Sequence, residues 1–160
     1  MLTRAFYKML GGYSGMNLQN TPSTIKDIYG NDISSVDFGQ SSSYSFTRDS
    51  NWPNAKFIIG SGTAKPKNTD YILETEITER YDCSTLIKRY IQGEEKDYLN
   101  IYGTITNTGT VDLTFSEIGL LGYQNKTGST TTYILFAREV YDTPITIAPG
   151  ESVSVNVNIM

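Results

Sequence analysis

Histidine is absent from this 160-residue chain, and cysteine and tryptophan occur once each. Without histidine there is no Ser-His-Asp or Cys-His arrangement and no His-ligated metal site. A lone Cys83 makes no intramolecular disulfide. It also builds no thiolate zinc cluster or iron–sulfur centre within one chain, and it reads as a small, half-buried residue. Charge is sparse as well, at 19% of residues with a net charge of −4, which disfavours nucleic acid as a general partner. The densest basic pair, Lys88-Arg89, stands alone among apolar and aromatic neighbours. No window approaches the ~18 apolar residues of a membrane helix. Leu2–Leu10 is too short for a signal peptide, carries Arg4 and Lys8, and lacks a small-residue cleavage site. The expectation is a protein made and folded in a cytoplasm, with no membrane partner.

What is present points to sheets. The chain is long enough for one domain with a real core. Hydrophobic residues make up 38% and mean hydropathy is −0.32, yet aromatics reach 12%, which is not a disordered composition. Twelve tyrosines suit half-buried rings whose hydroxyls reach water. The polarity comes largely from 20 Thr, 15 Ser and 11 Asn, residues of strand faces and turns. Such uncharged polar surfaces are common on extracellular and virion proteins.

Helical periodicity occurs only at the start. Leu2, Ala5, Phe6, Met9 and Leu10 form one apolar stripe that Gly11-Gly12 ends, predicting a short helix that needs something to pack against. It is read either as a lid on the domain's own core or as a docking element for a neighbouring subunit. A hairpin is expected from Thr24–Ile28, a turn at Tyr29-Gly30-Asn31-Asp32, and Ile33–Phe38. Residues 39–55, rich in Ser, Asn and Asp, read as the longest loop, and residues 63–70 as a polar loop around Pro66. Short strands are expected at Phe57-Ile58-Ile59, Tyr71–Ile77 and Thr85–Gln92. Leu99, Ile101, Gly103 and Ile105 alternate with polar partners, and Asn107-Thr108-Gly109 makes a turn. Val111, Leu113 and Phe115 alternate next, followed by Ile118-Gly119-Leu120-Leu121, a polar turn over 123–130 and a buried strand at Thr132–Val140. After Pro149-Gly150, the residues Val153, Val155, Val157 and Ile159 alternate with Ser152, Ser154, Asn156 and Asn158, which is the clearest strand signal in the chain. Eight or nine short strands predict an all-β fold, a single β-sandwich of jelly-roll or immunoglobulin-like topology with a short N-terminal helix.

Few residue patterns suggest chemistry. Glu74 and Glu76, on one face of an expected strand, have the spacing of an acid/base pair but more often form a solvated face. Glu94-Glu95 reads the same way in a charged turn. Gly60-Ser61-Gly62-Thr63-Ala64-Lys65 faintly suggests a phosphate loop, but lacks the Gly-Lys-Ser/Thr ending and meets Pro66 where a helix should begin. No segment matches the EF-hand loop, although Asp and Asn cluster at Asn31-Asp32 and Asp49-Asn51. Asn125-Lys126-Thr127 is a glycosylation triplet only in a eukaryotic secretory pathway. Trp52 and the tyrosines could stack on sugars, though core packing accounts for them as readily. Gly119 and Gly122 predict a close backbone approach or a bulge. Glu117 and Arg138, the two charges beside the most apolar strands, are expected to pair at a sheet edge. No catalytic, cofactor-binding or metal-binding residue is assigned.

Six stretches carry a resemblance: Phe57-Ile58-Ile59-Gly60-Ser61-Gly62, Asp70-Tyr71-Ile72-Leu73-Glu74, Thr104-Ile105-Thr106-Asn107-Thr108-Gly109, Ser116-Glu117-Ile118-Gly119-Leu120, Leu135-Phe136-Ala137-Arg138 and Pro144–Glu151. In order and spacing, residues 57–160 resemble a domain of minor structural proteins in tailed-bacteriophage virions. The resemblance implies a non-enzymatic neck, tail, fibre-base or capsid-decorating subunit of the virion, made in the bacterial host cytoplasm. Its implied partners are other virion proteins and copies of itself, with no cofactor. Residues 1–55 match less well and are expected to serve attachment, with 56–160 forming the sandwich core. The alternative is a carbohydrate-binding or adhesin-like module, for which an exposed Trp52 in a loop groove would speak.

Overall fold

The computed structural model describes residues 1–3, 25–33, 42–45, 56–84, 87–91, 98–126 and 132–159. Eleven strands are described, and no helix is found among these residues. They are β1 (Ile25–Lys26), β2 (Asp32–Ile33), β3 (Ser42–Ser45), β4 (Lys56–Gly60), β5 (Glu76–Ile77), β6 (Tyr81–Cys83), β7 (Ile87–Ile91), β8 (Tyr98–Asn107), β9 (Leu113–Lys126), β10 (Thr132–Ile147) and β11 (Ser152–Ile159). All pairings are antiparallel.

Two sheets make up most of the structure. The first runs β10-β9-β4-β5, with β3 and β4 placed end to end along the same side of β9. The second runs β11-β8-β6, with β6 and β7 end to end along one side of β8. One apolar cluster joins them: Phe57, Ile59, Leu113, Phe115, Leu120 and Ile147 from the first sheet meet Ile101, Ile105 and Val155 from the second. A second cluster, Ile58, Leu73, Leu121 and Leu135, with Ile28 packed against it, covers the other face of the first sheet. That sheet is therefore buried on both faces. Hence Phe57-Ile58-Ile59 and Ile118-Gly119-Leu120-Leu121 read as continuous apolar runs, whereas β8 and β11 alternate.

The expected hairpin is present, with Ile25 opposite Ile33 and Lys26 opposite Asp32; residues 34–38 lie outside the described ones. Its turn is closed by Asp27, whose carboxylate accepts the amides of Tyr29 and Asn31 and the side-chain amide of Asn31. Gly119 meets its expected close approach, since a Cβ there would stand 2.8 Å from Leu135 and 3.0 Å from Leu73. At the last turn Gly150 adopts φ +79°, a conformation that favours glycine.

Several expectations need correction. The N-terminal helix is not supported. Leu2 forms an antiparallel bridge with Ala137, flanked by hydrogen bonds from Thr3 to Phe136 and from Arg138 to Met1, and residues 4–10 lie outside the described ones. Within 39–55, read as loop, Ser42–Ser45 is a strand along β9. Of Tyr71–Ile77 only Glu76–Ile77 is a strand, because the amides of Glu74 and Thr75 bond to a side chain instead of a ladder. Val111 is 56% exposed and precedes β9, which runs on to Lys126 through the expected polar turn. Tyr81–Cys83 is a strand that the sequence did not signal. β10 continues past Val140 to Ile147 through a break in register that contains Pro144, a residue sheets confine to edges and bulges.

Candidate functional site

The densest polar chemistry lies beneath the loop 61–75, on the outer face of the first sheet. β9 supplies Glu117, which is 0% exposed, and β10 supplies Arg138, which is 4% exposed. Arg138 donates from Nε to Oε2 of Glu117 at 2.8 Å and from Nη1 to Oδ2 of Asp70 at 2.8 Å. Its Nη2 stands 2.8 Å from the same Glu117 oxygen but is not aligned for a hydrogen bond, and it lies 3.8 Å from Oε2 of Glu74. The expected pairing of Glu117 with Arg138 is thus present. It sits under a covering loop rather than at an open edge, because the loop closes over this face through Leu73.

Three carboxylates around one guanidinium leave an excess of negative charge, and backbone amides offset it. Glu117 accepts from Gly62, Glu74 and Thr75 at 2.8–3.1 Å. Glu74 accepts from Thr63 and Ala64 at 2.7 and 2.8 Å, and Asp70 from Lys67 at 2.8 Å. Gly60-Ser61-Gly62-Thr63-Ala64-Lys65 therefore does present amides to anions, but the anions are this chain's own carboxylates. Glycine is required at 62 by the close approach: a Cβ would stand 2.5 Å from Oε1 of Glu117. Ser116, also buried, donates its hydroxyl to the Gly62 carbonyl at 2.9 Å.

The partners of Glu74 and Arg138 set their ionisation. The amides of Ala64 and Thr63, with Arg138 adding, keep the Glu74 carboxyl below its ordinary value. Burial lowers the preference of Arg138 for its charged form, but its bonds to Asp70 and Glu117 outweigh that and raise its pKa. Glu76, expected beside Glu74, stands on β5 in register with Gly60 and Glu117, and its carboxyl is raised. Burial pushes its carboxyl up while nearby Lys56 pulls it down. A shallow cleft of about 380 Å³ beside the cluster is bordered by Lys65, Lys67, Tyr71, Glu74 and Arg138.

A second polar node fastens the two sheets at one end. Asn107 closes β8 and is 0% exposed. Its Oδ1 accepts the Gly109 amide at 2.9 Å, and its Nδ2 donates to the carbonyls of Val111 and Ile147 at 2.8 and 2.9 Å. Its backbone bonds Glu151 and Gly150 across the last turn. The turn chemistry expected of Asn107-Thr108-Gly109 is present, and the link to β10 is an addition to it.

The remaining candidates are accounted for more simply. Asp32 pairs with Lys26 at 3.2 Å, and among the described residues no group of three potential ligands is placed to hold a metal ion. Asp49-Asn51, Trp52 and Glu94-Glu95 lie outside the described residues, and Asn125 lies on β9. Cys83 is half-buried, and burial raises its thiol pKa. Asp27, Asp70 and Ser116 were not singled out from the sequence. Only the turn-like setting of Asp27, just before Tyr29-Gly30-Asn31, carried a usable signal. Among the described residues no helix is long and apolar enough to cross a membrane. No family model, curated protein or solved structure matches the chain.

Proposed function

We propose that this chain is a non-enzymatic structural subunit of a tailed-bacteriophage virion, a β-sandwich that acts by assembly with neighbouring proteins and with copies of itself. One observation carries the reading. The stretches that resemble virion proteins are the ones the two polar nodes tie together. Phe57–Gly62, Asp70–Glu74, Ser116–Leu120 and Leu135–Arg138 all reach the Glu117–Arg138 cluster. Thr104–Gly109 and Pro144–Glu151 meet at Asn107. The residues of these stretches thus serve the fold, as expected where shape and rigidity are what the protein contributes.

Two further points support it. The exposed face shared by β8 and β11 is uncharged, with Tyr102, Thr104, Thr106, Ser152, Ser154, Asn156 and Asn158, as suits a surface that meets other proteins. Segments before residue 56 are laid onto β9 and β10 as added edges, the manner in which an attachment segment joins a body. An image reconstruction of whole particles from the phage that encodes the chain tests the proposal. Ordered density fitting the two-sheet body at repeated positions supports it, and absence of the chain from purified particles overturns it. The same uncharged face would suit a glycan, and binding on a glycan array by the isolated chain would favour the adhesin-like alternative.

A further inference from the structure

The sheet edges of this protein are closed in very unequal ways. β10 carries Arg138, Glu139, Asp142 and Pro144, breaks register twice, and takes Met1–Thr3 along its outer side. β5 and β6 are two and three residues long, and β7 carries Lys88 and Arg89. These are the usual devices that keep an edge from pairing with another chain. β11 has none of them. Ser152–Ile159 holds no charge, no proline and no bulge across eight unbroken residue pairs with β8. Among the described residues no strand pairs with its second edge.

The direction of its free backbone groups follows from β8. The Thr104 carbonyl accepts from the Ser84 amide on the β6 side, and the Thr104 amide donates to the Ser84 hydroxyl oxygen. The Asn107 backbone turns the other way, to Gly150 and Glu151. Alternation along an antiparallel strand then aims residues 101, 103 and 105 at β11, where they bond Val157, Val155 and Val153. The amides and carbonyls of Ser152, Ser154, Asn156 and Asn158 are left pointing out of the sheet. Between this edge and β10 lies a cleft of about 460 Å³, bordered by Met1, Leu2, Ala137, Arg138 and Glu139 on one side and Val157 on the other.

We propose that β11 pairs antiparallel with β11 of a second copy, joining the two four-stranded sheets into one continuous sheet across a two-fold axis. The inference rests on the assembly reading and names the edge and the partner. A second copy is the occupant the chemistry selects. Two-fold antiparallel pairing keeps like faces together: centred on Val155, it sets Val153 opposite Val157 and Ser154 opposite Asn156 of the other copy. The second strand's valines then enter the cleft beside Val157, Leu2 and Ala137. Each chain carries a net charge of −4, so two copies repel in general. A strand without charge is where they can approach.

Sedimentation equilibrium of the full chain at about 100 µM, where a micromolar interface is nearly saturated, should give twice the 17.8 kDa chain mass. The double variant Ser154→Lys/Asn156→Lys places lysines opposite lysines and should be a monomer; both sites are exposed, so at a dilution where the wild type is also monomeric the two should melt alike. Mixed with Ser154→Glu/Asn156→Glu, it should regain the doubled mass. A monomeric wild type overturns the inference, as does a lysine variant that still dimerises or a mixture that stays monomeric. If the lysine variant still dimerises and still enters particles, the edge is wrong and the assembly reading stands. If the dimer forms through β11 but particles lack the chain, the assembly reading is what fails.

Discussion

Glu117 of β9 and Arg138 of β10 meet at 2.8 Å where neither has appreciable contact with solvent, and the loop 61–75 is built around their meeting. Burying charges costs several kcal/mol per ion unless each is met by partners. Here the partners are the amides of Gly62, Glu74 and Thr75, so the pair doubles as the anchor of a loop that lacks a strand ladder of its own. That loop in turn brings Leu73 onto the second apolar cluster. Local backbone, buried charge and packing thus depend on one another.

Gly62→Ala tests the anchor from the backbone side. The added methyl would stand 2.5 Å from both Oε1 of Glu117 and Cβ of Glu74, and so displaces the carboxylate the loop is folded around. A loss of about 1–3 kcal/mol is expected, the range of overpacking and of a buried hydrogen bond left unmade. Gly150→Ala, where a Cβ meets nothing within 4 Å, suffers only from its φ of +79° and should lose less. Denaturant midpoints of the two variants check this order.

Val155 and Ser154 test the faces of the last strand. Val155 is 4% exposed within the shared cluster, and Ser154 faces outward. Val155→Asp should unfold the protein, because an unpaired polar group in the core costs about 2–7 kcal/mol against a total stability of ~5–15 kcal/mol. Ser154→Asp should leave the melting temperature nearly unchanged. Equal melting of the two variants would show that the faces are assigned wrongly.

Asn107→Ala should cost about 1–3 kcal/mol for the one fully buried bond it removes, to the Ile147 carbonyl, and less for each part-buried partner that water can reach. Those part-buried partners are the Gly109 amide and the Val111 carbonyl. Asn107→Asp keeps the acceptor and loses both donors, so it should also destabilise. If urea unfolding finds Asn107→Asp as stable as the wild type, the node contributes nothing.

Alkali should unfold the protein through its tyrosines. Burial pushes the Tyr81 hydroxyl up from 10 to about 12, and burial followed by the neighbouring charge of Glu139 does the same for Tyr141. A raised pKa of this kind favours the neutral folded form. Its contribution is complete below the unfolded value near 10 and is lost as pH rises toward 12. Ultraviolet titration of tyrosinate should show a late group that ionises together with loss of the strand signal in circular dichroism. Tyr81→Phe/Tyr141→Phe should remove that late step.

Much of the fold was legible in the sequence, for identifiable reasons. β8 and β11 have one face toward the core and one toward water, so their alternation is clean, and Leu99–Ile105 and Val153–Ile159 could be read directly. The first sheet is covered on both faces, which erases alternation and leaves apolar runs that show position but not extent; hence β9 and β10 proved longer than expected. β3 and Tyr81–Cys83 lack an apolar run because each pairs only with one end of a long neighbour. Tyr71–Thr75 looked like strand because its residues suit one, but the carboxylate of Glu117, 42 residues later in sequence, takes the Thr75 amide. The Glu117–Arg138 pair could be suspected as two charges among apolar strands. Asp70 and the loop amides could not, since only the folded register brings them there.

The chain's buried polar residues fasten its fold, and thermal unfolding of Glu117→Gln tests this most directly. The variant keeps the shape of the side chain but removes the fully buried one of Arg138's carboxylate partners, leaving Asp70, and breaking a buried pair in this way costs about 3–5 kcal/mol. A double-mutant cycle with Arg138→Gln should show strong coupling, the double variant being far less damaged than the two single losses added together. A Glu117→Gln protein that melts with the wild type, with no coupling to Arg138, would contradict the account and show that these charges are held for some purpose other than the fold.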